Sequence, residues 1–139
     1  MNDFTYHVPT KFVFGRGSVD EVGDELAALG HTCALVVYGK GSVVRTGTLD
    51  RVLTSLDRAG VRHAQLGGVR PNPEVGLVRD GVAAARADEA DVVLAVGGGS
   101  VIDSAKAIAM GAATGRDPWE FASTGTRPDK TLPVATVLT

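Results

Sequence analysis

Residues 92–109 read VVLAVGGGSVIDSAKAIA, and this stretch decides the fold. The apolar, β-branched run at 92–96 predicts a buried strand. Glycines follow it at once, and a helix is predicted over 101–114. Glycine lets a backbone approach a ligand closely, and a helix N-terminus attracts an anion. The stretch therefore predicts an α/β fold in which this turn can bind a phosphate group.

The alternation of strand and helix extends N-terminally from this stretch. Residues 32–37 form a nearly unbroken apolar run, which predicts a strand covered on both faces. Residues 61–66 predict a weaker strand near the sheet edge. Apolar residues at helical spacing predict two more helices, one with Leu49, Val52, Leu53, Leu56 and Ala59, the other with Val75, Val78, Val82 and Ala85. This order predicts a Rossmann-like, doubly wound and mainly parallel sheet, whose ligands bind at the carboxyl ends of the strands.

Several local features predict how the remaining segments fold. Ser18 and Glu21 have the spacing of a capping box, which would open a helix that ends near Gly30. Residues 11–14 predict a short strand paired with the opening residues, and residues 116–130 a polar loop. The prolines of the PNP segment at 71–73 predict a rigid, extended turn.

Length and composition exclude several classes of protein. The 139 residues suit one domain, and 44% of them are hydrophobic. The net charge of −2 gives no basic field for nucleic acid or an anionic membrane. No apolar run approaches the ~20 residues that span a bilayer, and the polar start predicts a cytoplasmic protein. The single cysteine, Cys33, lies in an apolar run and is expected to be buried.

The last nine residues, 131–139, read TLPVATVLT and predict a buried strand. A core strand needs a cap or a covered edge. We therefore expect the natural protein to continue beyond Thr139.

The glycine run has two interpretations. Gly98, Gly99 and Ser100 form either a cradle for a pyrophosphate or only a tight turn between strand and helix. Ser100 could cap the helix, bind phosphate, or do both. Asp103 could complement the dipole at the start of this helix and pair with Lys106 one helical turn on, or it could face a cofactor cleft.

A second glycine-rich segment follows the first core strand. It contains Gly39, Lys40, Gly41 and Ser42, with no acidic residue at the strand end to accept a ribose 2′-hydroxyl. One cation and one hydroxyl would tolerate a 2′-phosphate. The alternative is a glycine-rich turn with a solvated lysine.

The histidines give no catalytic or metal-binding pattern. His7, His31 and His63 are scattered, with no paired histidine spacing and no arrangement resembling a catalytic triad. We expect no catalytic residue and no metal ligand in this chain.

The motifs, taken in order, resemble those of the group III, iron-containing alcohol dehydrogenases, most closely the NADPH-dependent butanol dehydrogenase and aldehyde reductase branch. The resemblance extends from residue 4 to residue 139. It rests on PTKFVFGRGSV at 9–19, YGxGSVxxTG at 38–47, PNP at 71–73, AVGGGSVIDSAKAIA at 95–109, DPW at 117–119 and LPVATVLT at 132–139.

The resemblance implies roles for individual residues. Gly98, Gly99 and Ser100 would hold the pyrophosphate, and Asp103 would lie near the nicotinamide ribose and ring. Two further regions would contact the coenzyme. These are Asn72, beside the adenosine, and Thr136 and Thr139, in the segment that passes under the cofactor.

The resemblance also bears on cofactor choice. Gly39, Lys40, Gly41 and Ser42 would surround the adenosine 2′ position. NAD-specific relatives have aspartate where this sequence has Gly39, which favours NADP(H). Lys40 replaces a glycine common in this branch and would add charge near a 2′-phosphate.

The resemblance further implies that residues 1–139 form the NAD(P)-binding domain of the dehydroquinate synthase-like fold. An all-helical domain beyond them would hold Fe²⁺, or Zn²⁺, through one Asp and three His. The enzyme would transfer a hydride between NADP(H) and a primary alcohol or aldehyde, with the metal acting as a Lewis acid. A homodimer is expected, with no nucleic-acid or membrane partner. Alternatives are a glycerol dehydrogenase, a dehydroquinate synthase-like enzyme, or a non-catalytic nucleotide-binding module.

Overall fold

Four parallel strands form one sheet, with helices packed on both of its faces. The computed structural model describes residues 3–72 and 74–139, and the strand order across the sheet is β2-β1-β3-β4. The strands are β1 (Cys33–Gly39), β2 (Arg62–Val69), β3 (Val92–Gly97) and β4 (Val134–Leu138). The helices are α1 (Val22–Ala28), α2 (Ser42–Arg45), α3 (Thr48–Arg58), α4 (Val75–Ala87), α5 (Gly99–Thr114) and α6 (Pro118–Thr124). The predicted doubly wound α/β fold is confirmed.

The two central strands, β1 and β3, carry the core on both of their faces. Leu35 and Val93 point toward the side that α4 and α5 cover, while Val36 and Leu94 point toward the side of α1 and α3. All four side chains are fully buried. Burial of each contributes about 1.5–3 kcal/mol, which explains why both strands are continuous apolar runs.

Cys33, at the start of β1, is buried as expected. Its side chain is 1% exposed, and burial raises the pKa of the thiol above its usual value. The thiol donates to the Asp88 carbonyl oxygen over 3.4 Å. Cys33 therefore behaves as a small core residue.

Two glycines of α4 and α5 permit a close approach between helices. A Cβ at Gly81 would lie 2.4 Å from Cδ1 of Ile108, and one at Gly111 would lie 2.7 Å from Cγ of Pro118. Side chains at either position would push α4 or α6 away from α5. These contacts hold the C-terminal half of α5 against α4 and α6.

The other face of the sheet has a similar close contact between α1 and α3. The Gly23 N–H donates to Oγ of Ser55 over 2.9 Å, and that hydroxyl donates to the Asp20 carbonyl over 2.7 Å. Ser55 is only 1% exposed, so both bonds are shielded from water. A Cβ at Gly23 would lie 2.1 Å from the Ser55 carbonyl oxygen.

Two predictions for the N-terminal region are wrong. Residues 11–14 form no strand, and Phe12 and Phe14 are exposed, because no neighbouring strand pairs with them among the described residues. The capping box does not form either. Ser18 begins a 3₁₀ helix that extends to Glu21, with left-handed Gly17 before it and no side-chain cap.

The PNP turn and the C-terminal half also differ in part from expectation. Asn72 adopts a left-handed conformation with φ of 62°, so the turn bends there instead of extending, and Pro73 lies outside the described residues. The predicted loop at 116–130 contains α6, which Asp117 caps by accepting from the Trp119 N–H over 3.1 Å. Strand β4 lies at the sheet edge, and its burial is only partial.

The Gly23 contact gives a test of the packing between α1 and α3. Gly23→Ala should lower the free energy of unfolding by at least about 2 kcal/mol, because the added methyl meets backbone and not a movable side chain. Gly76→Ala in α4 is the matched control, since a Cβ there meets nothing within 4 Å and alanine favours helix. Urea unfolding measures both, and equal stability of the two variants would contradict the packing.

Candidate functional site

The topology creates a crevice between the carboxyl ends of β1 and β3. From β1 the chain moves to β2 on one side and then returns to β3 on the other. Such a reversal is where open α/β sheets bind ligands. Tyr38 of β1 pairs with Val96 of β3, so the two glycine-rich segments that follow leave the sheet side by side.

Val101 of α5 connects these two segments. A Cβ at Gly97 would lie 2.7 Å from Cγ2 of Val101, and a Cβ at Gly39 would lie 4.0 Å from the same atom. Gly39 also aligns with Val69 at the end of β2. The structure thus brings together the segments 39–42 and 97–100, which the sequence predicted separately.

The three glycines of the 97–100 turn differ in whether the structure requires a glycine at their position. Gly97 has φ of 155°, a conformation that side chains disfavour, and a Cβ there would meet Val101. Gly98 has φ of −95°, which any residue adopts, and Gly99 is helical. A Cβ at Gly98 or Gly99 would meet nothing within 4 Å. Only Gly97 is needed to make the turn.

The backbone of this turn offers free donors. The N–H groups of Gly98, Gly99 and Ser100 have no hydrogen-bond acceptor in the part of the chain that the structure describes. They point out of the first turn of a 16-residue helix, where the helix dipole adds partial positive charge. The turn can therefore bind an anion through three N–H groups.

Ser100 does not cap α5. The helix begins at Gly99, Gly98 occupies the capping position, and no side chain completes the cap. Ser100 is half-buried, and its hydroxyl donates to none of the described residues. The alternative in which it caps the helix is wrong, and the hydroxyl is left available to a ligand.

Asp103 forms no ion pair with Lys106. Both side chains are exposed, and no carboxylate–ammonium contact within 4.0 Å joins them. Asp103 lies one turn into α5, on the same exposed face as Gly99. The interpretation of Asp103 as a partner of Lys106 is therefore wrong.

The remaining predicted residues mostly reach the same edge of the sheet. Asn72 follows the end of β2 and is exposed. The Thr139 N–H donates to the Gly97 carbonyl over 3.3 Å, so Thr139 lies beside the turn. Thr136 lies lower in β4, opposite Ala95, and its side chain is exposed.

The segment 39–42 contains a group that the sequence interpretation missed. A Cβ at Gly41 would lie 2.8 Å from Nη1 of Arg45, so the guanidinium of Arg45 lies over Gly41. A second cation after Lys40, with no acidic residue before Asp50, was the available signal. Helical side chains lean toward the N-terminus, which carries Arg45 back over this segment.

The two kinds of glycine can be separated by stability. Gly97→Ala should destabilise the protein by about 1–3 kcal/mol. The φ of residue 97 is unfavourable for alanine, and the added methyl group would collide with Val101. Gly99→Ala should leave stability unchanged or raise it by up to about 1 kcal/mol, since alanine favours a helix. Thermal or urea unfolding measures both. Comparable destabilisation by Gly99→Ala would mean that Gly99 has a structural role.

Residues 9–139 match the model of the iron-containing alcohol dehydrogenase family. The probable NADH-dependent butanol dehydrogenase 1 of Bacillus subtilis (strain 168) is 47% identical over 139 residues, 100% of this chain and 36% of that protein. The NADPH-dependent aldehyde reductase YqhD of Escherichia coli (strain K12) is 38% identical, again over 100% of this chain and 36% of that protein.

Solved structures give the same result. The crystal structure of NADH-dependent butanol dehydrogenase A from Thermotoga maritima superposes with a TM-score of 0.94 at 41% identity, and covers 100% of this chain and 35% of that one. The chain thus spans about a third of the length of these relatives. It belongs to the iron-containing alcohol dehydrogenase family.

Proposed function

We propose that this chain is the dinucleotide-binding domain of an enzyme that transfers a hydride between NADP(H) and a primary alcohol or aldehyde. One observation carries the proposal. Gly98 and Gly99 lack side chains where neither the backbone conformation nor packing requires it, at a helix start with free N–H groups. A ligand whose phosphates touch the backbone explains that absence.

We propose for the remaining residues the roles that the family resemblance implies. Ser100 adds its hydroxyl to the N–H groups around the diphosphate, and Asp103 lies toward the nicotinamide ribose. The adenosine then extends toward the end of β1, where Gly39, Lys40, Gly41 and Ser42 surround its 2′ position. Asn72 beside β2, and Thr136 and Thr139 of the β4 segment, complete the site.

The contribution of this chain to catalysis is orientation. When bound, the coenzyme gives or accepts the hydride at its nicotinamide ring. The N–H groups of Gly98, Gly99 and Ser100 fix the diphosphate, and α5 is held by its contacts at Gly81 and Gly111. A fixed diphosphate limits where the nicotinamide can move, which lowers the entropic cost of bringing it to a substrate.

A metal site does not fit the described residues. Among residues 3–72 and 74–139, no three His, Cys, Asp or Glu side chains come together as metal ligands. From the family resemblance we propose that iron is bound by a helical domain beyond the residues of this chain. The length of the relatives supports such a domain, since this chain spans 36% of the first of them.

The cellular location and the oligomeric state of the protein are also proposals. No helix in the described ranges has both the length and the apolarity needed to cross a bilayer. We propose a cytoplasmic homodimer that acts on a small alcohol or aldehyde. A glycerol dehydrogenase and a dehydroquinate synthase-like enzyme are alternatives with the same fold. The substrates that the complete protein converts would distinguish them.

Coenzyme binding by the complete protein tests the proposal. NADPH fluorescence should report saturable binding, and Gly99→Ala should raise Kd for NADPH and NADH alike by about 10- to 100-fold, because its methyl occupies the space of the diphosphate. Arg62→Ala, an exposed residue at the amino end of β2 and so at the opposite edge of the sheet, should leave Kd unchanged. Unchanged binding by Gly99→Ala would contradict a diphosphate site at this turn.

Activity separates the enzyme classes in the same preparation. Short aldehydes should be reduced with NADPH, and a chelator should stop turnover. Turnover of glycerol alone, or of a sugar phosphate without net oxidation, would favour the alternatives. Binding of coenzyme without turnover of any substrate would favour a nucleotide-binding module.

The preference for NADP(H) has its own test at Gly39. The relatives include proteins named as NADH-dependent and as NADPH-dependent, so membership of the family does not determine which coenzyme this protein prefers. A Cβ at Gly39 would be 3.6 Å from the Val69 carbonyl, so a side chain fits there. Gly39→Asp should weaken NADPH binding by about 1–3 kcal/mol through charge repulsion and affect NADH less. Gly39→Asn controls for size, and unchanged selectivity in Gly39→Asp would place the 2′ site elsewhere.

A further inference from the structure

Arg45 has an unusual position for a surface arginine. It ends the one-turn helix α2, and its N–H donates to the Gly41 carbonyl over 2.9 Å. Its guanidinium then folds back along the helix until Nη1 lies 2.8 Å from the place a Cβ of Gly41 would occupy. The guanidinium therefore lies next to Gly41, in space that a side chain at this position would share.

Gly41 does not have the left-handed backbone that favours glycine. Its φ is −173° and its ψ is −29°. Besides Arg45, nothing in the described chain lies within 4 Å of a Cβ at this position. A side chain at Gly41 would thus affect the position of the Arg45 guanidinium before that of any other described residue.

Arg45 forms no ion pair with any described residue. Arg51, which lies in the next helix, binds Asp20 over 2.8 Å, whereas no carboxylate approaches Arg45 within 4.0 Å. Lys40 is also exposed without such a pair. Residues 38–49 contain these two cations and no acidic side chain, so the end of β1 carries a local positive charge.

The chemistry of an arginine suits one part of the coenzyme. A guanidinium presents parallel N–H groups that bind phosphate at two points, and it keeps its charge at every physiological pH. The segment that Arg45 covers is the one proposed above to surround the adenosine 2′ position. NADPH carries a phosphate there, and NADH carries a hydroxyl.

We propose that Arg45 is the specificity-determining residue that binds the 2′-phosphate of NADPH, and that Gly41 is glycine so that this guanidinium can lie over the segment. This proposal rests on the proposed function, and it adds the residue that recognises the 2′-phosphate. The Lys40 side chain forms no hydrogen bond or ion pair with the residues that the structure describes, so we expect it to contribute by long-range attraction.

Binding to the complete protein tests Arg45 without any need for turnover. The probes are NADPH, NADH, and the pair 2′,5′-ADP and 5′-AMP, which differ only in the 2′-phosphate. Arg45→Ala should raise Kd for NADPH and 2′,5′-ADP by roughly 10- to 100-fold and change Kd for NADH and 5′-AMP less than about twofold. Arg45→Lys should restore part of the lost affinity. Arg62→Ala, an exposed arginine at the opposite edge of the sheet, is the matched control.

A double-mutant cycle tests the role of Gly41. Gly41→Ala should weaken NADPH binding in the wild-type background by displacing the guanidinium, and should have little further effect when Arg45 is already alanine. An equal effect in both backgrounds would mean that the methyl meets the coenzyme itself, which would overturn the coupling.

The outcomes separate this proposal from the proposed function. If wild-type protein binds both coenzymes but Arg45→Ala weakens them equally, or weakens neither, the role of Arg45 is overturned and the dinucleotide site stands. If wild-type protein binds neither coenzyme, both proposals are overturned. If Arg45→Ala selectively weakens the binding of NADPH and 2′,5′-ADP, both the proposed function and the role of Arg45 are supported.

Discussion

The pairing of β1 with β3 is the constraint on which the rest of the structure depends. Both strands are buried on both faces, so neither can shift its register without moving apolar side chains against the wrong helices. That fixed register puts Tyr38 opposite Val96 and makes the two glycine-rich segments neighbours at one edge of the sheet. The candidate site is a product of core packing, with the loops adding the groups that face a ligand.

Much of this arrangement could be predicted because burial leaves a direct mark on sequence. Continuous apolar runs gave β1 and β3, and spacing of three and four residues gave the long helices. The misses have physical reasons. Residues 11–14 have strand-like composition, but composition cannot supply a pairing partner. Ser18 and Glu21 have cap spacing, but Asp20 between them is engaged by Ser55 and by Arg58 of α3, which favours a different local geometry. At Asp117, the Asp-Pro pair was a helix-start signal that a polar composition concealed.

The candidate site was predictable in its location but not in its detail. Topology alone brings the ends of parallel strands together, so the segments 39–42 and 97–100 could be identified from the sequence. The sequence does not tell which glycines the turn needs. The structure does, because Gly97 has a positive φ, whereas a Cβ at Gly98 or Gly99 would meet no other atom within 4 Å. The charge pattern of the sequence indicates Arg45 as a second cation after Lys40, but not that its guanidinium lies next to Gly41, because that position depends on how one side chain folds back along a single helical turn.

The close contacts of α5 have a consequence for how the protein can change over evolutionary time. Gly111 lies 12 residues from Gly99, about 18 Å along the helix axis. A larger side chain at Gly111 of α5, or at Gly81 of the neighbouring α4, would shift α5, and the shift would reach its first turn. The shape of the 97–100 turn can therefore change through substitutions far from it, and these two glycines restrict such changes.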